Sequence, residues 1–167
     1  MSVVDYQVHE QIGIIWINNP PVNALSSELR NGIHQAVLNA QSDATKALLL
    51  ICKGRTFIAG ADISEFDKPA TKPSFNDILG TIESSSKPVI AAIHGTALGG
   101  GLETALACHY RCAVGSAMVG LPEVKLGLLP GAGGTQRVPR LIGIEAAIKM
   151  ITGGNPIPAA AALSAKL

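Results

Sequence analysis

The chain has 167 residues, of which 47% are hydrophobic and 15% charged, a composition that excludes intrinsic disorder and suits one domain with a real core. Thirteen Lys and Arg against twelve Asp and Glu leave a net charge of +1 with no basic block, so neither nucleic acid nor an anionic membrane is an expected partner. No apolar run reaches the roughly 18 residues of a membrane span, and the N-terminus lacks the regions of a signal peptide. The three cysteines, Cys52, Cys108 and Cys112, cannot form a disulfide framework and fit a reducing, cytoplasmic setting.

Val3 to Val8 and Ile12 to Ile17 read as the two strands of a hairpin, ended by Asn18-Asn19-Pro20-Pro21. Ser26 is placed to cap a helix whose apolar residues Leu29, Ile33, Val37 and Ala40 recur at helical spacing. Ala47 to Ile51 is a wholly apolar run, expected to be a strand covered on both faces. Arg55 to Ile58 is strand-like. Lys68 to Asn76 reads as a mobile surface loop, followed by a helix to about Ser84. Val89 to Ile93 is a second buried strand, Leu102 to Ala107 a helix and Tyr110 to Val114 a strand. Leu141 to Thr152 and Ala159 to Lys166 complete the reading as helices. Strand and helix alternate throughout, which defines an α/β class in a single domain over 1–167, with no repeat or linker.

Glycine and charge are unevenly distributed. Thirteen of the eighteen glycines lie between Gly95 and Gly154, while from Ser84 to Ile144 the acidic residues are Glu103 and Glu123 alone. The segment Ile93 to Glu103 runs from a strand through Gly99-Gly100-Gly101 into a helix. Free N–H groups at a helix start are donors, and glycines let a ligand oxygen approach them. Ala59-Gly60-Ala61-Asp62 is a second candidate donor turn. Two such turns converging on one carbonyl oxygen would make an oxyanion hole, each donor being worth about 3 kcal/mol in the transition state. Read alone, a glycine triplet is more often a packing device.

Neither nucleotide nor acyl-serine chemistry fits. Gly131-Ala132-Gly133-Gly134 lacks the Gly-Lys-Ser/Thr ending of a P-loop, and Gln136 stands where a dinucleotide fingerprint needs its last glycine. No Gly-x-Ser-x-Gly elbow is present. The carboxylates are the better lead. Glu103 falls in the first turn of its helix, where the dipole favours the ionised form and suits a general base. Glu123 follows Pro122 among apolar neighbours, where burial would raise its pKa and let it hold a proton. Two glutamates at this spacing also arise by chance.

Several segments in order resemble the crotonase (enoyl-CoA hydratase/isomerase) superfamily. They are Ala59 to Ile63, Lys87 to Ile93 running on to Gly99 to Glu103, Leu121 to Gly127, and Leu129 to Arg137. Asn19 to Ala24 and Cys108 to Arg111 look most like the N-terminal hydratase/isomerase module of multifunctional β-oxidation enzymes. The resemblance implies a spiral of ββα units, incomplete in its C-terminal helical part, and an acyl-CoA thioester as substrate, with no metal or redox cofactor. By position it implies that Ala61 and Gly100 hold the thioester oxygen, Glu103 activates water, and Glu123 exchanges the proton at C2. Ala24, Asp62 and Ile63, with Ala61 and Gly100, match positions that flank the substrate and its CoA moiety. A trimer-based homo-oligomer, or membership of a multifunctional enzyme, is implied as well.

Other features have plainer readings. His94 and His109 read as structural histidines, and Cys108, His109 and Cys112 lack a fourth ligand at zinc-like spacing. Lys46, Lys53 and Arg55 either meet CoA phosphates or form a solvated face. Trp16 and Phe57 are expected in the core. Ala165-Lys166-Leu167 resembles a peroxisomal address, for which chance is the preferred account. Besides hydration, double-bond isomerisation and non-catalytic acyl-CoA binding remain open.

Overall fold

The computed structural model describes residues 2–65, 67, 69 and 72–167. The chain order is β1 (Val4–His9), β2 (Ile12–Ile17), α1 (Ser27–Ala40), β3 (Ala47–Cys52), α2 (Phe75–Glu83), β4 (Val89–Ile93), β5 (Thr96–Leu98), α3 (Gly100–Ala107), β6 (Tyr110–Ala113), β7 (Met118–Gly120), α4 (Gly134–Ile142), α5 (Ile144–Gly153), β8 (Ile157–Pro158) and α6 (Ala159–Ser164). Short 3-10 turns cover Ile63–Glu65 and Glu123–Leu126.

A five-stranded sheet has the order β1-β2-β3-β4-β6, and a three-stranded sheet the order β5-β7-β8. The hairpin β1-β2 is antiparallel, whereas β2-β3, β3-β4 and β4-β6 are parallel. Parallel neighbours need crossovers, which α1, α2 and α3 supply in turn. This is the α/β architecture that the alternation of elements predicts.

Local chemistry explains the best-defined elements. Ser26 accepts from the Leu29 N–H and starts α1, whose Leu29, Ile33, Ala36, Val37 and Ala40 are all buried. Burying each large aliphatic side chain contributes about 1.5–3 kcal/mol. Ser74 and Asp77 form a reciprocal capping box at the start of α2. The expected loop from Lys68 to Asn76 therefore ends in an ordered helix start, and its residues 68, 70 and 71 lie outside those described. Every residue of α3 is buried, as befits a helix at the centre of the core.

Four expectations need correction, and two strands were not expected. β3 buries only alternate residues, Leu48, Leu50 and Cys52, because the second face of the sheet is only partly covered. Arg55 to Ile58 forms no strand; only Ile58 makes an isolated bridge, to Ala97. β5 and β7, each three residues long, escaped the sequence reading because such a length carries no periodicity. The helix expected over Leu141 to Thr152 is two helices, α4 and α5, broken at Gly143. Gly134 and the internal Pro139 hid α4, since both residues argue against helix on propensity alone. Finally, Phe57 is fully buried, but Trp16 is half-exposed with the Lys53 ammonium 5.7 Å from its ring centroid.

Candidate active site

The two donor turns are brought together by backbone pairing. The Phe57 N–H donates to the Thr96 carbonyl at 3.1 Å and the Leu98 N–H to the Ile58 carbonyl at 3.1 Å. Ala59-Gly60-Ala61 therefore leaves this pairing beside Gly99-Gly100. A Cβ on Gly101 would overlap the Ile58 carbonyl, so glycine there lets α3 lie directly against the first turn. On its other side the first turn is pinned to the segment before α1. The Leu25 N–H donates to the Gly60 carbonyl at 2.9 Å, and the Asp62 N–H to the Leu25 carbonyl at 3.5 Å. In such a parallel bridge the residue between, Ala61, turns its own N–H the other way, away from Leu25. Gly100 is the first residue of α3, and its N–H has no intrahelical acceptor.

A third backbone link fixes the second carboxylate. The Gly99 N–H donates to the Gly120 carbonyl at 2.9 Å, which ties the glycine turn to the end of β7, three residues before Glu123. Gly99 has φ 53° and ψ −125°, a conformation hostile to a side chain. A Cβ there would also sit 3.1 Å from Glu123 Oε1.

The carboxylates sit in different surroundings. Glu103 is 2% exposed, and its Oε1 accepts from the N–H groups of Ala132 and Gly134, both at 2.8 Å. Burial raises its pKa, opposed by those two donors and by the positive charge of Arg137. The ionised form expected from the helix dipole is thus disfavoured by burial, the larger effect. Glu123 opens the 3-10 turn Glu123–Leu126. Its Oε2 is buried without a hydrogen-bond partner among the described residues. Burial pushes its pKa up, and the nearby Glu103 adds to the rise. That direction agrees with the apolar sequence around it.

One cleft of about 320 Å³ unites these parts. Ala59, Gly60 and Ala61 line it from one turn and Gly99 and Gly100 from the other, and Glu103 and Glu123 line it as well. Ile63, Phe75, Leu126, Leu128 and Leu129 make its remaining wall apolar. Of the residues singled out from the sequence, Ala61, Ile63, Gly100, Glu103 and Glu123 meet here. Ala24 and Asp62 do not line it. The Ala24 carbonyl accepts from Asn19 Nδ2 at 2.8 Å, and Asp62 Oδ1 accepts from the Ser64 N–H at 3.0 Å, capping the 3-10 turn. His109 Nδ1 accepts from the Val89 N–H at 3.1 Å, a structural contact. Sequence reasoning gave no role to the Ala132 and Gly134 amides. The glycine-rich loop was noted, rejected as a nucleotide site and counted in the family resemblance, but the helix it enters was not read, so its amides drew no role.

A spiral α/β fold whose cleft joins main-chain donors from two turns to one buried and one half-buried acid defines the crotonase class. The enoyl-CoA hydratase/isomerase family matches residues 7–166, and the chain belongs to that family. It is 52% identical over 158 residues to a peroxisomal bifunctional enzyme of Danio rerio, covering 93% of this chain and 22% of that protein. It is 42% identical over 171 residues to a probable enoyl-CoA hydratase of Bacillus subtilis, covering 98% of this chain and 66% of the relative. Among solved structures, an enoyl-CoA hydratase from Bacillus anthracis superposes with a TM-score of 0.91 at 34% identity, over 98% of this chain and 67% of that one. This chain thus spans about a fifth of the bifunctional relative.

Proposed function

We propose that this chain carries the active centre of an enoyl-CoA hydratase, adding water across the 2,3 double bond of a trans-2-enoyl-CoA to give 3-hydroxyacyl-CoA in fatty-acid β-oxidation. The observation that carries the reading is the single cleft holding both donor turns and both glutamates. The names of the bifunctional and hydratase relatives support it.

In this reading the thioester oxygen lies between the N–H groups of Ala61 and Gly100. Glu103, ionised, takes a proton from water as the hydroxyl bonds to C3. The π electrons move to the thioester oxygen, where the two N–H donors stabilise the enolate-like charge. Protonated Glu123 then delivers its proton to C2. Proton exchange between the two carboxyls and solvent restores the starting state. The raised pKa of Glu123 suits its role as donor. Ala24, Asp62 and Ile63 flank the CoA moiety. Exposed Leu141, Ile144 and Ile148 favour self-association, trimer-based or within a longer multifunctional protein. The cytoplasmic location read from cysteine usage belongs to the same proposal, beside the peroxisomal one in the relative's name.

The test is the absorbance loss of a short trans-2-enoyl-CoA. Glu103→Gln is expected to cut hydration by about 10²–10⁴-fold. Equal rates in wild type and in Gln variants at both glutamates would reject the assignment, and binding without turnover in wild type would identify a non-catalytic acyl-CoA module. A second activity, migration of a 3,4 double bond to the 2,3 position, is favoured by the unpartnered Glu123 Oε2, because one carboxyl suffices for it. Isomerisation should then persist in part in Glu103→Gln.

A further inference from the structure

Arg137 does not line the cleft, yet its guanidinium braces the loop that grips Glu103. Nη1 donates to the Ala132 carbonyl at 2.8 Å, and Nε donates to Glu83 Oε1 at 2.7 Å. Its main-chain N–H reaches the Gly133 carbonyl at 2.8 Å. The same loop supplies the Ala132 and Gly134 N–H groups that hold Glu103 Oε1. Glu83 closes α2, and α2 packs against α3, the helix of Glu103. The ion pair thus ties the donor loop to α2, which packs against the helix that carries the acid. The Arg137 side chain is only 21% exposed, against 47% for Glu83.

We propose that Arg137 is a positioning residue for Glu103: anchored by Glu83, it holds the Ala132–Gly134 loop over the carboxylate and keeps a permanent positive charge beside it. The inference rests on the hydratase reading. Two titratable groups lie near Glu103, the permanently charged Arg137 from α4 and the carboxyl of Glu123 from the 3-10 turn. From α2, Glu83 is paired with Arg137. From β6, Arg111 is engaged with the Ala105 and Cys108 carbonyls at the other end of α3. β5, residues Thr96 to Leu98, brings no titratable group. Glu123 opposes ionisation of Glu103 only when it is itself ionised, whereas Arg137 favours it throughout. An arginine stays charged throughout the working pH range, so it offsets burial wherever water must be activated.

The experiment compares wild type, Arg137→Met, Arg137→Lys and Glu83→Gln. It reads the pH dependence of kcat and KM for hydrating a short trans-2-enoyl-CoA, and the Glu103 carboxyl titration by carbon-13 NMR. In Arg137→Met the acidic limb and the Glu103 titration should move up by about one pH unit. On the acidic side of the Glu103 titration kcat should then fall, by up to about tenfold at the lowest pH, and recover at high pH, with KM little changed. Arg137→Lys keeps the charge without the fork, so it should retain the titration while lowering kcat at every pH. Glu83→Gln, altered at the exposed end, should give a smaller fall in kcat. An Arg137→Met protein that loses only thermal stability, with titration and pH profile unmoved, overturns the proposal. If that variant does not fold, unchanged kcat in both Arg137→Lys and Glu83→Gln overturns it. A wild type that hydrates nothing ends the hydratase reading, while the Glu103 titration still decides the role of Arg137.

Discussion

Asp43 and Glu123 are both half-buried carboxylates, yet their surroundings drive them in opposite directions. Asp43 accepts from Tyr6 Oη and Thr45 Oγ1, both at 2.5 Å, from the Thr45 N–H at 2.9 Å and from Lys87 Nζ at 2.8 Å. Lys87 also donates to the Ala40 carbonyl and so closes the end of α1. Burial alone would push the Asp43 pKa up, but the bonds from Lys87, Thr45 and Tyr6 pull it well below the ordinary carboxylate range. Glu123 has no such company. Its buried Oε2 lacks a partner among the described residues, and burial and Glu103 both push its pKa up. A fully satisfied carboxylate stabilises the fold, whereas a deprived one is available to carry a proton.

Substitution at each site breaks that contrast. The largest effect is expected for Glu123→Gln, which should lower hydration by about 10²–10⁴-fold in the enoyl-CoA absorbance assay while leaving the protein folded. Asp43→Asn should do the reverse. It should destabilise the chain by about 2–3 kcal/mol in urea unfolding, with turnover per folded molecule unchanged. The smallest effects lie in the pH dependence of stability. The depressed pKa of Asp43 contributes stability above its unfolded value near 4, lost as pH falls toward the folded value, and Asp43→Asn should lack that acid-side slope. For Glu123 the sign reverses, because its folded pKa is raised. Wild type should lose stability as pH rises from the ordinary glutamate value through the raised one. Glu123→Gln should therefore unfold at higher temperature than wild type at pH 8, with the advantage shrinking toward pH 4. An equal thermal shift at both pH values would remove the contrast.

Much of the fold was legible where local chemistry repeats. The Ser26 cap and the spacing of Leu29, Ile33, Val37 and Ala40 defined α1, and apolar runs located β2 and β4 at their observed bounds. α4 was illegible because Gly134 and Pro139 argue against the helix that contacts with α5 and α3 stabilise. At the site, the sparse carboxylates and the glycine turns stood out, and the family resemblance ordered them. Arg137 did not stand out, since one arginine among scattered charges carries no local signal.

What the sequence alone determined was the set of parts: an α/β chain, two donor turns and two acids in apolar surroundings. Only the tertiary structure decided that Ile58 lies beside Ala97 and that Gly99 hangs from Gly120. Those pairings join residues about 20–40 positions apart, and no local propensity encodes them. The same holds for the protonation of Glu103 and Glu123. Residue type sets their ordinary pKa, but burial and partners brought from distant segments set its direction.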